Sequence, residues 1–389
     1  MGSFAEELRS LMAARGVSGN ELARQVPCDA ALVSRYLSGR QPPSRRMANR
    51  FDDVLCAGGK LGALVPSRTR RGDLDPELRD RLAWAERHPR RIDLATVESL
   101  AMLLAAQRQA EDTLGSAALV RPADAQLAVV EGFATEAAGA LRPAVIDVAM
   151  QWTQFTGWLH TSARDMSGAR SLWSQTLELA AEAGDATMVA TVLAFKGYMA
   201  WLAGDAGPVI GLAQAAQRDP HVALSQRAYG ASLEARGHAM AGDAQAMERK
   251  LGDLTELAGN LDQPGAQRPW SYWFTPEWFD CQRGITLGYL AHIDRYRTEA
   301  IDALTAGYDG LGTEQASEWG AGYLVHRAEV HARGGDLGQA LADAMQTIPV
   351  ARRTDSASLR GHLSRLRAGL VARWPDDARV AELTDALAS

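Results

Sequence analysis

From about residue 150 onward the chain repeats itself. A helix with small and aromatic residues, a short break carrying aspartate, and a helix rich in alanine and leucine recur in order. The copies are GWLHTSARDMSGARSLWSQTLELAAEAGD, FKGYMAWLAGDAGPVIGLAQAAQRDP, YGASLEARGHAMAGDAQAMERKLGDLTELA, RGITLGYLAHIDRYRTEAIDALTAGYDGL and AGYLVHRAEVHARGGDLGQALADAMQTIP. Their break aspartates, Asp165, Asp205, Asp243, Asp294 and Asp336, lie 40, 38, 51 and 42 residues apart. A period of this length, with no alternating strand pattern between copies, restricts the region to stacked helix pairs. One pair cannot bury its apolar face alone, so neighbours must stack. Ala169, Ala300 and Ala340, early in the second helices, leave room for close helix approach. The closing stretch, SASLRGHLSRLRAGLVARWPDDARVAELTDALA, reads as a last pair capping the stack.

The 51-residue interval contains a segment outside the period, GNLDQPGAQRPWSYWFTPEWFD, residues 259–280. Six aromatics fall between residues 270 and 279: Trp270, Tyr272, Trp273, Phe274, Trp278 and Phe279, in a chain with only 25. Aromatic side chains concentrate where surfaces bind, and Arg268, Glu277 and Arg283 add polar selection. Three readings stand side by side: a plug for a long repeat junction, a ligand pocket, or a dimer contact. Trp152, Trp158, Trp173, Trp201 and Trp319 recur at repeat-helix positions and read as core.

The N-terminal stretch is of another kind. The chain carries a formal net charge of −6, yet residues 1–71 hold twelve Lys/Arg against six Asp/Glu. A basic head on an acidic body implies that only the head meets a polyanion. FAEELRSLMAAR places Phe4, Leu8, Leu11 and Met12 on one helical face, and Gly16 ends it. Ser18 caps a second short helix, with Glu21 three residues on and Leu22, Ala23 and Val26 turned inward. Pro27 stops that helix and Asp29 caps the next, where Leu32, Val33 and Tyr36 face the core. Gly39, Pro42 and Pro43 end the third helix. A fourth runs from Ser44 with Met47, Ala48, Phe51, Val54 and Leu55 at core spacing, and a fifth is expected around Lys60–Leu64.

Two short helices joined by a tight turn inside a five-helix unit resemble the DNA-binding domain of the XRE family, the Cro and phage-repressor type. The carriers over residues 4–65 are Gly16-Val17-Ser18, Glu21-Leu22-Ala23, Val33-Ser34-Arg35, Gly39 and Pro43. Gly19 stands where the family often has Gln, and Pro27 where it usually has Gly. The resemblance implies that the third helix enters the major groove with its N-terminal residues at base edges. Those are Ala30, Ala31, Ser34 and Arg35: arginine pairs bidentately with guanine, and alanine meets thymine methyls. Ser18, Asn20, Arg40, Arg45 and Arg46 sit along the phosphates. The repeats, in turn, resemble tetratricopeptide repeats of slightly long unit. Head and array together resemble the XRE–tetratricopeptide regulators abundant in actinobacteria, and, in architecture only, the peptide-sensing regulators of Gram-positive bacteria.

The expected fold is therefore all-α. Residues 1–65 form an XRE, lambda-repressor-like helix-turn-helix domain. Residues 66–76 form a linker holding Arg68, Arg70 and Arg71. Residues 77–389 form an α-solenoid of tetratricopeptide-like helix pairs for ligand sensing and dimerisation. Helices are expected over 76–114, broken near Pro89, and over 122–140 and 143–163.

No phosphate-binding GxxxxGK[ST], GxGxxG after a strand, GxSxG or HExxH occurs. His326 and His331 are five apart and diverge on a helix, so no metal site is expected. Cys28, Cys56 and Cys281 are too far apart for a disulfide framework, and Cys28 and Cys56 read as buried structural thiols. No run of eighteen apolar residues occurs, and MGSFAEELRS carries acids where a signal peptide needs bases. The expectation is a cytoplasmic protein without cofactor, membrane association or catalytic residues. It is a sequence-specific transcription regulator that binds a double-stranded operator, an inverted repeat, as a homodimer and answers a small-molecule or peptide effector. The alternative is a tetratricopeptide-type scaffold, or an antitoxin-like partner protein, with a DNA-localising head.

Overall fold

The computed structural model describes residues 4–26, 30–39, 43, 45–65, 92–261 and 268–388, with backbone alone for Ala31, Arg45, Arg46 and Ala63. Every regular element among them is helical. Two compact units separate: residues 1–102 with 129–145, and residues 103–128 with 146–389. The linker expected over 66–76 lies outside the described residues, as do Pro27, Cys28, Asp29 and Arg40.

The first unit opens with five helices: α1 (Phe4–Arg15), α2 (Gly19–Gln25), α3 (Ala30–Leu37), α4 (Arg45–Val54) and α5 (Lys60–Ala63). Leu8, Leu22, Leu32, Val33, Tyr36, Met47, Phe51 and Leu61 close one core. Tyr36 meets Phe51 edge-on at 6.0 Å between ring centres, a favoured aromatic geometry. Gly16 ends α1 at φ 67°, left-handed backbone that a side chain resists. The Ser18 hydroxyl accepts from the Glu21 N–H at 3.2 Å, so α2 is capped as its sequence requires. One cap comes from further away: the buried Asp52 carboxylate of α4 accepts from the N–H groups of Leu61 (2.9 Å) and Gly62 (2.7 Å). It satisfies donors that every helix start leaves open.

Beyond it run α6 (Leu94–Leu114), α7 (Ser116–Glu136) and α8 (Arg142–Ser162). The helix expected from residue 122 starts six residues earlier and carries Pro122 inside it. The reason is tertiary. The Glu318 carboxylate accepts the Ser116 N–H at 3.0 Å, and the Ser116 hydroxyl donates to Glu111 at 2.6 Å. A side chain 202 residues away, together with Glu111 five residues back, fixes this helix start and outweighs the donor that the proline lacks.

The repeats follow as α9 (Met166–Ala183), α10 (Ala186–Ala203), α11 (Ala206–Ala216), α12 (Leu224–Met240), α13 (Ala244–Ala258), α14 (Pro276–Gly288), α15 (Asp294–Gly310), α16 (Glu318–Gly334), α17 (Leu337–Arg353), α18 (Ala357–Arg373) and α19 (Ala378–Ala388). Adjacent helices pair strongly from α9 to α13 and from α14 to α17, with weaker junctions at α13 to α14 and at the last two steps, α17 to α18 and α18 to α19. The even-numbered helices also pack on one another, α10 on α12, α12 on α14, α14 on α16 and α16 on α18. The region is thus a two-layer helical repeat. Asp165, Asp205, Asp243 and Asp336 stand at helix N-caps, and all but Asp205 accept a backbone N–H there. Asp294 instead opens α15 and pairs with Arg297 at 2.6 Å. Ala169, Ala300 and Ala340 are fully buried. At Gly284 a Cβ would stand 2.5 Å from Leu304 Cγ, so α14 and α15 approach closer than any side chain permits.

Helix α10 is long and apolar enough to cross a membrane, but half of that window is buried inside the protein. It is apolar on all sides because α9, α11 and α12 cover it. Cys281 is buried, whereas Cys56 is exposed, contrary to its expected burial. The chain leaves α4 there in left-handed backbone, φ 46°, which turns the residue away from the core.

Candidate functional site

On α3, Leu32, Val33 and Tyr36 are buried while Ala30, Ser34 and Arg35 are exposed. The helical period explains the split: residues 30 and 34 lie one above the other, opposite the core stripe. Asn20 is exposed near the start of α2, while Ser18 spends its hydroxyl on the cap. Arg45 and Arg46 fall in the first turn of α4, with their side chains outside the described residues. The result is a short helix held by its inner face with a polar and methyl-bearing outer face, a geometry suited to a DNA groove.

The second unit contains a cavity of about 150 Å3. Its wall comes from the even-numbered helices α6 to α18 and the junction before α14. The aromatic segment divides. Tyr272, Trp273 and Trp278 reach the cavity. Trp270 and Phe274 are buried in the packing around it, with Phe279. Arg268 and Arg283 lie outside the wall and face Asp185 (3.7 Å) and Glu299 (3.5 Å). The tryptophans expected in the core divide too. Trp152 and Trp173 are fully buried, Trp173 stacking on Phe195 at 4.8 Å. Trp201 is buried in the core as expected, and Trp158 and Trp319 pack against it half-buried, but all three also present a face to the cavity.

The sequence reading missed the charged groups of the wall. Arg236 on α12 is 1% exposed. It donates to Gln282 Oε1 at 2.5 Å and lies over the Trp201 ring at 4.6 Å, and its Nε has no partner. Gln282 passes the chain on, donating to the Tyr323 hydroxyl at 2.9 Å. Arg108 on α6 is also buried, with contacts of 3.5 Å to Gln151 and Gln154 oxygens. Burial pulls the pKa of both guanidinium groups down, that of Arg108 to about 10.

The carboxylates of the wall are better served. Glu318 accepts from the Ser116 N–H (3.0 Å) and the hydroxyls of Ser162 (3.0 Å) and Ser356 (2.6 Å). Asp112 accepts from Trp319 Nε1 at 3.0 Å and the Tyr272 hydroxyl at 3.1 Å. Glu111 accepts from Ser116 (2.6 Å) and Trp158 Nε1 (3.3 Å). Burial pushes its pKa up to about 8, so it is mostly protonated at neutral pH. The available signal was a charged residue inside an otherwise small and apolar repeat helix, as in YGASLEARGHAMAG. A buried charge has to find a partner.

Residues 3–64 match a family described as the helix-turn-helix domain. That match covers all five helices of the first core and points to a DNA-binding regulator. No curated protein matches the chain.

Proposed function

We propose that the protein is a sequence-specific transcription regulator of the cytoplasm, with no catalytic activity. Residues 3–64 bind half of an inverted-repeat operator, α3 in the major groove and Arg35 on a guanine. The repeat region, tetratricopeptide-like in its small-residue packing and capped turns, joins two chains and binds an effector in its cavity. The observation that carries the DNA-binding part is the α3 outer face of Ala30, Ser34 and Arg35 within a helix-turn-helix match. The cavity supports the effector part, and a volume of about 150 Å3 favours a small molecule over a peptide.

The test is enrichment of sheared genomic DNA by the full-length protein at fixed salt, with Arg35→Ala beside it. Salt is held constant because phosphate contacts alone give salt-sensitive, non-specific binding. The expected result is an enriched inverted repeat, lost in Arg35→Ala, whose affinity for the isolated site falls by about 1–3 kcal/mol. Equal operator binding by Arg35→Ala rejects the placement of the recognition helix.

A further inference from the structure

We infer that the cavity takes a small aromatic carboxylate, its ring between the aromatic side chains and its anionic oxygens on Arg236. This rests on the reading of the cavity as an effector site and adds the chemistry of the ligand.

A guanidinium carries five N–H donors, and Arg236 has one acceptor in the described structure, Gln282 Oε1. No carboxylate pairs with it among the described residues, and its Nε is buried without a partner. Tyr198, Tyr229 and Tyr323 stand near it, but burial raises the pKa of all three, so these phenols are neutral and offer no charge. An arginine remains cationic at neutral pH even when burial lowers its pKa. A buried, unpaired charge is among the most costly features a fold can contain.

Glu234, two residues earlier on the same helix, shows the usual remedy. It accepts from Gln214 (3.0 Å) and Gln217 (2.9 Å) and pairs with Lys250 at 3.3 Å. Arg236 has no such set.

The remaining polar groups of the wall point the same way. Glu318, Asp112 and Glu111 already accept two or three hydrogen bonds each, and Glu111 is largely neutral. Arg108 adds a second guanidinium whose contacts, at 3.5 Å, are longer than good hydrogen bonds. The unspent capacity of the cavity is donor capacity, and an anion fills it. A cation would meet carboxylates that are already engaged and two guanidinium groups that repel it.

The apolar part is set by Trp158, Phe195, Tyr198, Trp201, Tyr229 and Trp273. Such rings favour another ring, stacked or edge-on. A dry cavity of roughly 150 Å3 admits benzene in another protein, so the space here fits one ring with a short acidic arm.

The test uses the full-length protein with benzoate, phenylacetate and indole-3-acetate. Benzamide, benzylamine and chloride serve as controls. Five of the chain's ten tryptophans line the cavity, so intrinsic fluorescence reports occupancy and a thermal shift confirms it. At least one carboxylate is expected to quench saturably and raise Tm, with the amide and amine about 30-fold weaker or more. Arg236→Met is expected to lose carboxylate binding by a similar factor. Without ligand its Tm should equal or exceed that of the wild type, because an unpaired buried charge has been replaced by apolar volume.

A purely structural arginine gives the opposite sign, a lower Tm with ligand binding intact, and overturns the inference. It is also overturned if the amine or amide binds as tightly, if chloride alone reproduces the effect, or if no carboxylate binds at millimolar concentration. Should Arg236→Met not fold, the wild-type selectivity among acid, amide and amine decides alone. Operator enrichment is read separately. Loss of carboxylate selectivity with the operator retained removes only the ligand class, and the converse removes only the DNA reading.

Discussion

In the helix-turn-helix unit, buried Asp52 has two backbone N–H partners at 2.7–2.9 Å, and the exposed arginine of α3 faces outward. In the repeat unit, Arg236 is buried just as deeply with one side-chain acceptor and a bare Nε. The first arrangement closes a fold: the charge caps α5 and needs nothing further. The second holds a charge ready at a cavity wall. A buried charge supplied with hydrogen-bond donors is tolerated by the fold, whereas one short of partners carries its desolvation cost.

The strongest way to sharpen this contrast is Glu111→Gln. The folded pKa of Glu111, about 8, is raised above its ordinary 4.5 by burial. Its stabilising protonated form is therefore fully present below about pH 4.5 and lost as pH rises through 8. Wild type should lose stability between about pH 5 and pH 9 relative to Glu111→Gln, by up to roughly 5 kcal/mol. Thermal denaturation across that range checks it, and parallel pH profiles would remove the buried acid from the account.

The head offers the next test. Asp52→Ala leaves the Leu61 and Gly62 N–H groups without their acceptor and should cost about 2–4 kcal/mol. Hydrogen exchange should accelerate over residues 4–65 and stay unchanged over 146–388. Acceleration in both would mean that the two units do not hold their stability separately.

The smallest effect is at the surface of the repeats. His160 sits between the carboxylates of Asp124 (2.9 Å) and Asp165 (2.8 Å) and, when protonated, donates to both. Burial opposes its charge, but the two carboxylates outweigh that and raise its pKa. The contribution is present below the ordinary histidine value and fades as pH rises through the raised one. His160→Gln should cost under about 1 kcal/mol near pH 6, since both aspartates are half exposed, and nothing at alkaline pH. A large, pH-independent loss would show that the imidazole acts by packing.

Much of this was legible in the sequence. The Asp-marked period located the helix breaks because a helix start needs an acceptor within three residues, and Asp165, Asp243 and Asp336 supply it locally. The helix-turn-helix register, Ser18 to Glu21 included, was legible for the same reason. The helix start at Ser116 was not. Its N–H acceptor, Glu318, is supplied by tertiary packing from 202 residues away, and no local rule places a helix start six residues ahead of Pro122. The aromatic segment at 270–279 announced itself by composition, yet which rings reach the cavity depended on the turn before α14. Tyr272 ends 40% exposed and hydrogen-bonded to Asp112, while Trp270 is enclosed.

Local spacing along the chain already carries the all-helical class, the head's core and its exposed α3 face, and the repeat with the caps at Asp165, Asp243 and Asp336. These depend on spacing of 3.6 residues and on contacts three or four residues long. That Trp158, Trp201 and Trp319 turn a face from the core packing to a cavity, and that Arg108 and Arg236 stand in its wall, follows from tertiary packing alone. Those facts depend on which helices meet across the stack, and burial of a charge is a property of that meeting, which no neighbour in the chain records.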